Sequence, residues 1–497
     1  MHKKNIIIIG GGLGGMSAAI SLATLPNVSI TLIEKNNHLG GKLNQTKKQG
    51  FTFDLGPSIF TMPHLFEPLF KMHNKNMEDY FKLVPVRPHW RNFFPDGKVL
   101  NLEASIDLMQ ETNDFLNETD IKELKSFYDY TETLYNFSKA TLFEHQSEKK
   151  LDTLKYYKPW KIIKDSDMFK TMDQGTRKHL SNPYLIDTMN FFIKYVGASP
   201  FEAPAVMNLL SYIQWKFDLW YVEGGMFQLS KGLEKLIKEL DITVIKNAEV
   251  KSLSTTHNAI HTLRLKNGKT LHSDIVISNM EAIPFYEKIA HIPETQLKSL
   301  KDKYPASCSG FALHLGLNKS YPQLAHHNIF HGENQAEHFN AIFNDKELPS
   351  DPTIYLVAPM KTDPSQGPKD HEIIKILPHI PNLDRDKPFT QNEYHSFKKI
   401  LLDKLERMGL KDIRKHIVTE EIWTPETIMN TYSSTHGSIY GTLAHKEKNM
   451  GFKFPKRSTF FNNLYFVGGS TNPGGGMPMV VLSGQQALAQ IKRKYFN

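Results

Sequence analysis

A single cysteine, Cys308, stands in a chain of 497 residues. One thiol closes no internal disulfide and builds no cysteine-ligated zinc or iron–sulfur centre, so the core alone has to hold the fold. That sparing use agrees with a reducing compartment, and Cys308 reads as a small buried apolar side chain. No stretch approaches the ~18 consecutive apolar residues of a spanning helix, so membrane contact has to be peripheral. The opening His2-Lys3-Lys4 is followed by only four isoleucines before glycine, too few for the apolar segment of a secretory leader, and no leader is expected. There is no internal repeat, no low-complexity tract and no nucleic-acid motif, so nucleic acid is not expected as a partner. His314, His326, His327 and His331 lie close in sequence. Adjacent histidines on a strand face opposite sides, and no carboxylates stand at ligand spacing, so they read as surface or cavity residues and no metal is expected.

What is present is ordinary for a globular enzyme: 40% hydrophobic and 23% charged residues. Lys and Arg number 60 against 52 Asp and Glu, a formal charge of +8. That balance admits an anionic partner such as a membrane surface or a phosphate-bearing cofactor. The length predicts a large enzyme of two or three parts.

The N-terminus is the most informative stretch. Residues 5–9 are a β-branched run that predicts a strand buried on both faces. Gly10-Gly11-Gly12-Leu13-Gly14-Gly15 follows, then a helix over 16–25 and a second strand over 28–33 ending at Glu34. In that context Gly10 allows the tight turn, Gly12 lets backbone approach a pyrophosphate, and Gly15 lets helix and strand pack closely. The helix N-terminus offers free N–H groups to the phosphates, and Glu34 can accept from a ribose hydroxyl. This predicts a dinucleotide site. Gly40-Gly41-Lys42, Gly56-Pro57-Ser58 and the distant Gly468-Gly469 add backbone-exposing turns at opposite ends of the chain, which suits FAD better than the shorter-reaching NAD.

Further along, residues 107–220 read as mostly helical. A helix is predicted over 226–240, preceded by Gly224-Gly225, then strands at 243–245 and 250–253, a hairpin turning at Asn267-Gly268, and a buried strand at 274–278. Strands are expected at 311–317, 328–330, 353–358 and 463–467, and helices at 392–408 and 480–495. Residues 363–370 read as a surface loop.

The segments at 9–20, 40–42, 53–63, 219–226 and 464–485 (LYFVGGSTNPGGGMPMVVLSGQ) resemble those of the carotenoid desaturase and oxygenase flavoproteins over nearly the whole chain. The resemblance implies an α/β fold: a discontinuous Rossmann-type FAD-binding domain, a mixed-sheet substrate domain and a helical cap. The FAD domain would comprise residues 1–80, 221–282 and 456–497, the substrate domain 81–106 and 283–455, and the cap 107–220. It implies FAD held by Gly10, Gly12, Leu13, Gly14, Gly15, Lys35, Gly41 and Gly468, with Glu34 at the ribose, Lys42 and Gly469 near the diphosphate, and Val250 at the adenine region. Gly56, Pro57, Ser58, Met477 and Pro478 would border the isoalloxazine ring. Desaturases of the family usually carry Ala, His and Ala where this chain has Gly469, Asn472 and Gly475. That departure favours the branch that oxidises a terminal methyl group. The implied reaction is FAD-dependent oxidation of an acyclic thirty-carbon carotenoid, 4,4'-diaponeurosporene, to an aldehyde. A desaturase, an amine oxidase and a non-catalytic isoprenoid-binding escort protein are the alternatives. No residue pair has a spacing that identifies catalytic groups.

Lys149, Lys150, Lys155, Lys158, Lys161, Lys164 and Lys170 interleave with Tyr156, Tyr157, Trp160, Ile162, Ile163 and Phe169. Lysines beside interface-seeking aromatics suit a segment lying on an anionic bilayer. The expectation is a cytoplasmic enzyme peripherally attached to the cytoplasmic membrane, beside other enzymes of carotenoid synthesis.

Overall fold

The structure, a computed structural model, describes residues 3–144, 146, 158, 160–161, 166–384, 386–445, 447–449 and 451–496. Its first layer is a five-stranded parallel sheet in the order Leu464–Phe466, Ile275–Ser278, Lys4–Ile9, Val28–Ile33 and Thr243–Ile245. The isoleucine run explains its central place. Ile6 and Ile8 face a core that includes Leu13, Ala18 and Leu32, while Ile7 and Ile9 face a second core with Val276, Phe285 and Leu464. A strand covered on both faces is apolar throughout, as parallel sheets require. The helices Leu13–Leu22 and Met477–Tyr495 pack side by side, and Gly484 makes the contact close: a Cβ there would lie 2.7 Å from the Ala18 nitrogen and the Gly14 oxygen. The last helix begins at Met477, three residues before the predicted start.

The second layer is a mixed sheet of eight strands. Its path runs Ile417–Trp423, Ala312–Leu317, Glu372–Ile380, Ile354–Val357, His327–Phe330, Trp90–Phe93 and Val99–Leu102, with Ser309–Gly310 paired to the third of these. Only His327–Phe330 and Trp90–Phe93 run parallel. Period-two alternation sorts the side chains. Leu313, Leu315, Ile374 and Ile376 pack under the helix Gln391–Arg407. Residues on the opposite pleat of the same strands, such as Ile373 and Leu377, turn toward Phe51, Phe53 and the main core. The segment between the layers is helical, with Glu118–Ser138, Met172–His179, Pro183–Phe191 and Leu209–Phe217 as its principal helices. Asn117 with Asp120 and Thr171 with Gln174 form reciprocal capping boxes at two of the starts.

Several expectations are corrected. The nine-residue strand Glu372–Ile380 (EIIKILPHI) lies inside the second sheet but was not predicted, because Lys375, Pro378 and His379 break its apolar run. The hairpin between Val250–Thr256 and Ala259–Leu265 turns on His257 and Asn258, both with positive φ, at 50° and 58°. The predicted turn at Asn267-Gly268 exists, but three residues form its loop: the Leu265 N–H donates to the Lys269 carbonyl at 2.8 Å, and Gly268 takes φ 88°. Residues 363–370 lie at the surface, with Pro364, Ser365, Lys369 and Asp370 exposed, and are anchored by the buried Asp363 carboxylate, which accepts the Gly224 N–H at 2.9 Å. His314, His326, His327 and His331 are all buried, so none is a surface residue. Of the lysine-rich stretch, Lys149, Lys150, Lys155, Lys164, Tyr156, Tyr157, Ile162 and Ile163 lie outside the described residues. Lys158, Trp160, Lys161 and Phe169 are described and exposed, Trp160 at 65% and Phe169 at 67%.

Candidate active site

The glycine turn is built at the carboxyl end of the central parallel strand. Gly10 takes φ 95° and its N–H donates to the Ile33 carbonyl at 2.7 Å, so the chain reverses at once. The Gly11 N–H donates to Glu34 Oε2 at 2.7 Å, and the Asn36 N–H to Glu34 Oε1 at 2.8 Å. Glu34 is therefore fixed at the strand end, with lone pairs left on both oxygens. Gly12 is the N-cap of the Leu13–Leu22 helix, and neither a capping side chain nor an acidic residue occupies its first turn. The helix end is free to meet an anion. Gly40 donates to the Gly11 carbonyl at 2.8 Å, and a Cβ on Gly41 would lie 3.0 Å from Gly12 Cα. The predicted glycine pair thus packs directly on the turn. Gly468 approaches from the far end of the chain: a Cβ on Gly14 would lie 2.8 Å from its nitrogen. Asn279, the residue after the Ile275–Ser278 strand, stands in the middle. Its side chain would meet a Cβ on Gly12, Gly14 or Gly468 within 2.7 Å. Sequence reading missed it, since one asparagine after a strand carries no pattern.

The remaining candidates sit at different distances from this cradle. Lys42 turns its ammonium to the carbonyls of Ser438 and Ile439, at 3.4 and 2.8 Å, and burial lowers its pKa. Lys35 reaches the 430–433 segment, donating to Ser433 Oγ at 2.7 Å. Val250 is buried beside Ile33 and Ala248, at the edge of the sheet nearest Glu34. Gly56 lies against the Lys42 carbonyl, where no Cβ would fit. Lys375, on the unpredicted strand, donates to the Gly56 carbonyl, to the Asp54 carbonyl at 3.4 Å and to Ser58 Oγ at 3.2 Å. Burial pushes this lysine down to about 8, against the attraction of Asp54. Asp54 in turn accepts the N–H groups of Met226 and Phe227 at 2.7 and 3.4 Å, and so closes the N-terminus of the Phe227–Glu239 helix. The long strand of the second layer thereby pins the 54–58 segment, which follows the separate two-stranded ribbon of Gln45–Lys48 and Phe51–Asp54. Met477 and Pro478 open the last helix behind an N-cap glycine, Gly476, again with no capping side chain. Two uncapped helix starts, a turn where glycine is sterically required and a fixed carboxylate at the second strand end fit a dinucleotide with two phosphates.

A family model described as flavin containing amine oxidoreductase matches residues 13–299. The chain belongs to that family. This flavoprotein is an FAD-dependent oxidoreductase. It is 52% identical over 489 residues to a 4,4'-diapolycopene oxygenase of Methylomonas sp, covering 98% of each chain. It is 46% identical over 491 residues to a 4,4'-diaponeurosporene oxygenase of Staphylococcus aureus strain USA300, covering 99% of this chain and 98% of that one. Among solved structures, an oxidoreductase from Methanosarcina mazei matches with a TM-score of 0.66 at 13% identity, covering 98% of this chain and all of the other. Putrescine oxidase with bound putrescine matches with a TM-score of 0.66 at 14% identity, covering 99% of each. These two share the fold.

The buried core of the flavoprotein is rich in aromatic side chains and histidines. Burial holds His314, His326, His331, His338 and His379 neutral, each down to about 3. His326 and His327 stack edge to face with centroids 4.4 Å apart. No group of three metal-ligating side chains occurs among the described residues. Asn472 does not present its amide to this interior. Its Oδ1 accepts the Lys453 N–H at 2.9 Å and its Nδ2 donates to the Lys453 carbonyl at 3.2 Å, so it clips the C-terminal glycine segment to its neighbour.

Proposed function

We propose that this flavoprotein oxidises a terminal methyl group of an acyclic thirty-carbon carotenoid, 4,4'-diaponeurosporene, to an aldehyde. The observation that carries the reading is the end-to-end similarity, at about half identity, to two enzymes named as oxygenases of 4,4'-diapolycopene and 4,4'-diaponeurosporene. The interior supports it. A polyene has no polar group to pair, and the core that adjoins the 54–58 segment is rich in aromatic rings and neutral histidines, with Lys375 turned onto the Gly56 and Asp54 carbonyls. Bound FAD supplies the redox capacity, accepting a hydride or electrons and reacting with dioxygen. Gly10, Gly12, Leu13, Gly14, Gly15, Gly41, Gly468 and Gly469 would cradle the diphosphate and Glu34 the ribose, with Lys35 and Lys42 as outlying cations and Val250 against the adenine. Gly56, Pro57, Ser58, Met477 and Pro478 would border the ring, with Lys375 holding the first three in place. The FAD domain is assigned to residues 1–80, 221–282 and 456–497, the substrate domain to 81–106 and 283–455, and the cap to 107–220. Exposed Trp160 and Phe169 beside Lys158 and Lys161 support a cap that rests on an anionic bilayer at the cytoplasmic face, and other enzymes of carotenoid synthesis would be its neighbours there. The test is mass spectrometry of carotenoids from a host making only diaponeurosporene and this protein. The expected product has a terminal aldehyde. A product that has lost hydrogen without gaining oxygen would replace this reading with a desaturase.

A further inference from the structure

One buried cation in this core, Lys194, is held by aromatic rings alone and makes no hydrogen bond. It lies in the short helical turn Phe192–Tyr195 and is 2% exposed. Aromatic rings surround it. The nitrogen is 3.6 Å from the Trp90 ring centroid and 3.7 Å from that of Tyr355, with Phe191 at 5.3 Å and Tyr195 at 5.9 Å. The box is rigid. Trp90 Nε1 and the Tyr195 hydroxyl both donate to Gln214 Oε1, at 3.1 and 3.2 Å, and the Tyr355 hydroxyl bonds His327 Nδ1 at 2.9 Å. Beside it, His327 Nε2 and His379 Nδ1 are also buried and unpartnered. Leaving a buried donor unpaired costs about 1–3 kcal/mol, more for a charged one, so the Lys194 amine calls for an acceptor, and the two free ring nitrogens beside it can serve as further donors or acceptors. The box is also one layer from the C-terminal glycine segment. His379 Nε2 lies 3.4 Å from the Tyr440 hydroxyl, and the Tyr440 carbonyl is 3.3 Å from where a Cβ of Gly475 would stand.

We propose that Lys194 and its aromatic box form a subsite for the oxygen-bearing end of a conjugated polyene, the amine donating a hydrogen bond to the hydroxyl or carbonyl oxygen that the reaction introduces. This rests on the carotenoid reading above and adds to it a means of retaining a half-oxidised chain. Methyl-to-aldehyde oxidation passes through an alcohol. A donor that pairs only with oxygen holds that alcohol for the second oxidation and leaves the methyl substrate unaffected, while the flat rings stack along the polyene.

The test uses the full-length, flavin-loaded protein and Lys194→Met, which keeps length and apolar contact with the rings. Each is titrated with diaponeurosporene and with its terminal aldehyde, and the polyene absorption is followed. Wild type is expected to favour the aldehyde about tenfold and to shift its absorption to longer wavelength, because a donor polarises the carbonyl. Lys194→Met is expected to lose both the preference and the shift, and to release alcohol during turnover of diaponeurosporene, with its flavin retained. The inference is overturned if flavin-loaded Lys194→Met keeps the preference and the shift, or if wild type oxidises diaponeurosporene while showing neither. If wild type neither binds nor oxidises a carotenoid, the carotenoid reading fails with it.

Discussion

Gly12 and Gly15 both belong to the phosphate turn, yet the structure assigns them different costs. Gly12 has φ −71° and ψ 173°, which any residue adopts, so alanine there is not strained by backbone. Its Cβ would stand 2.6 Å from Asn279 Nδ2, the end of a side chain that can rotate, and 3.8 Å from Gly41 Cα. Gly12→Ala therefore folds, moves Asn279, and places a methyl group where a diphosphate must lie. A methyl between backbone and phosphate costs about one charge-assisted hydrogen bond, ~1.5–3 kcal/mol, or a loss of flavin affinity of roughly tenfold to a hundredfold. Gly15→Ala places its Cβ 2.1 Å from the Gly10 carbonyl oxygen, a backbone atom on the adjoining strand. The Leu13–Leu22 helix would have to lift by about 1 Å against the Met477–Tyr495 helix, and overpacking of that kind costs about 1–3 kcal/mol. Gly15→Ala should lower the melting temperature of the flavin-free protein, whereas flavin-free Gly12→Ala should melt like wild type and gain less from added FAD in proportion to its weaker binding. Flavin fluorescence titration and thermal melts of both variants separate the two effects. Combining Gly12→Ala with Asn279→Ala provides the control. If that pair regains wild-type flavin affinity, the loss came from Asn279 and not from phosphate approach, and the cradle argument is wrong.

Acid should unfold this protein early. His314, His326, His331, His338 and His379 are each held down to about 3, from 6.5 in the open chain. Below pH 6.5 the unfolded chain binds protons that the folded one refuses, so stability is lost as pH falls, by about 2 kcal/mol per histidine at pH 5. Thermal melts at pH 7, 6 and 5 should show a steep fall that is shallower in His338→Gln, and a flat profile would refute the assignment. Replacing Trp160 with Ser and both Lys158 and Lys161 with Gln should reduce co-sedimentation with anionic vesicles, as should added salt. Equal sedimentation in all cases removes the membrane reading.

The turn was legible because each of its residues answers a local demand: a β-branched strand, glycines where side chains cannot fit, and an acid at the next strand end. The parallel sheet followed from the isoleucine run for the same reason. The groups that shape the interior were not legible. Lys375 and Lys194 sit in apolar surroundings, but a lysine in sequence reads as a solvated residue, and only the pairing of Glu372–Ile380 with its neighbours turns the first toward Gly56. Pro378 hid that strand further, although it occupies a register position opposite Ile354. Residues 53–58 read as a turn and 226–227 as the start of a separate helix. Their connection through the Asp54 carboxylate spans more than 170 residues of chain and has no periodic signature.

The C-terminal segment bears on which branch of the family this enzyme follows, and the structure divides its three distinctive residues. A Cβ on Gly469 would lie 3.8 Å from both Gly475 Cα and the Val480 side chain, which is ordinary contact. Gly469→Ala should therefore fold, hold flavin, and only narrow the space above the last helix. A Cβ on Gly475 would stand 3.3 Å from the Tyr440 carbonyl, and the neighbour must yield by a few tenths of an ångström. Asn472 is different. It uses both ends of its amide on the Lys453 main chain and is 2% exposed, so histidine there forfeits one of two buried bonds, at about 1–3 kcal/mol. If the branches differ through room beside the flavin, Gly469→Ala alone should change the ratio of oxygenated to unoxygenated carotenoid while leaving the melting temperature within about 1 °C of wild type, since an ordinary contact costs little. Asn472→His should lower the melting temperature by about 1–3 °C without a matching change in that ratio among the molecules that keep flavin. Product analysis by mass spectrometry and melts of the two variants decide the matter. A shift in product with Asn472→His at unchanged stability would place the imidazole, and not the space at Gly469, at the point where the branches part.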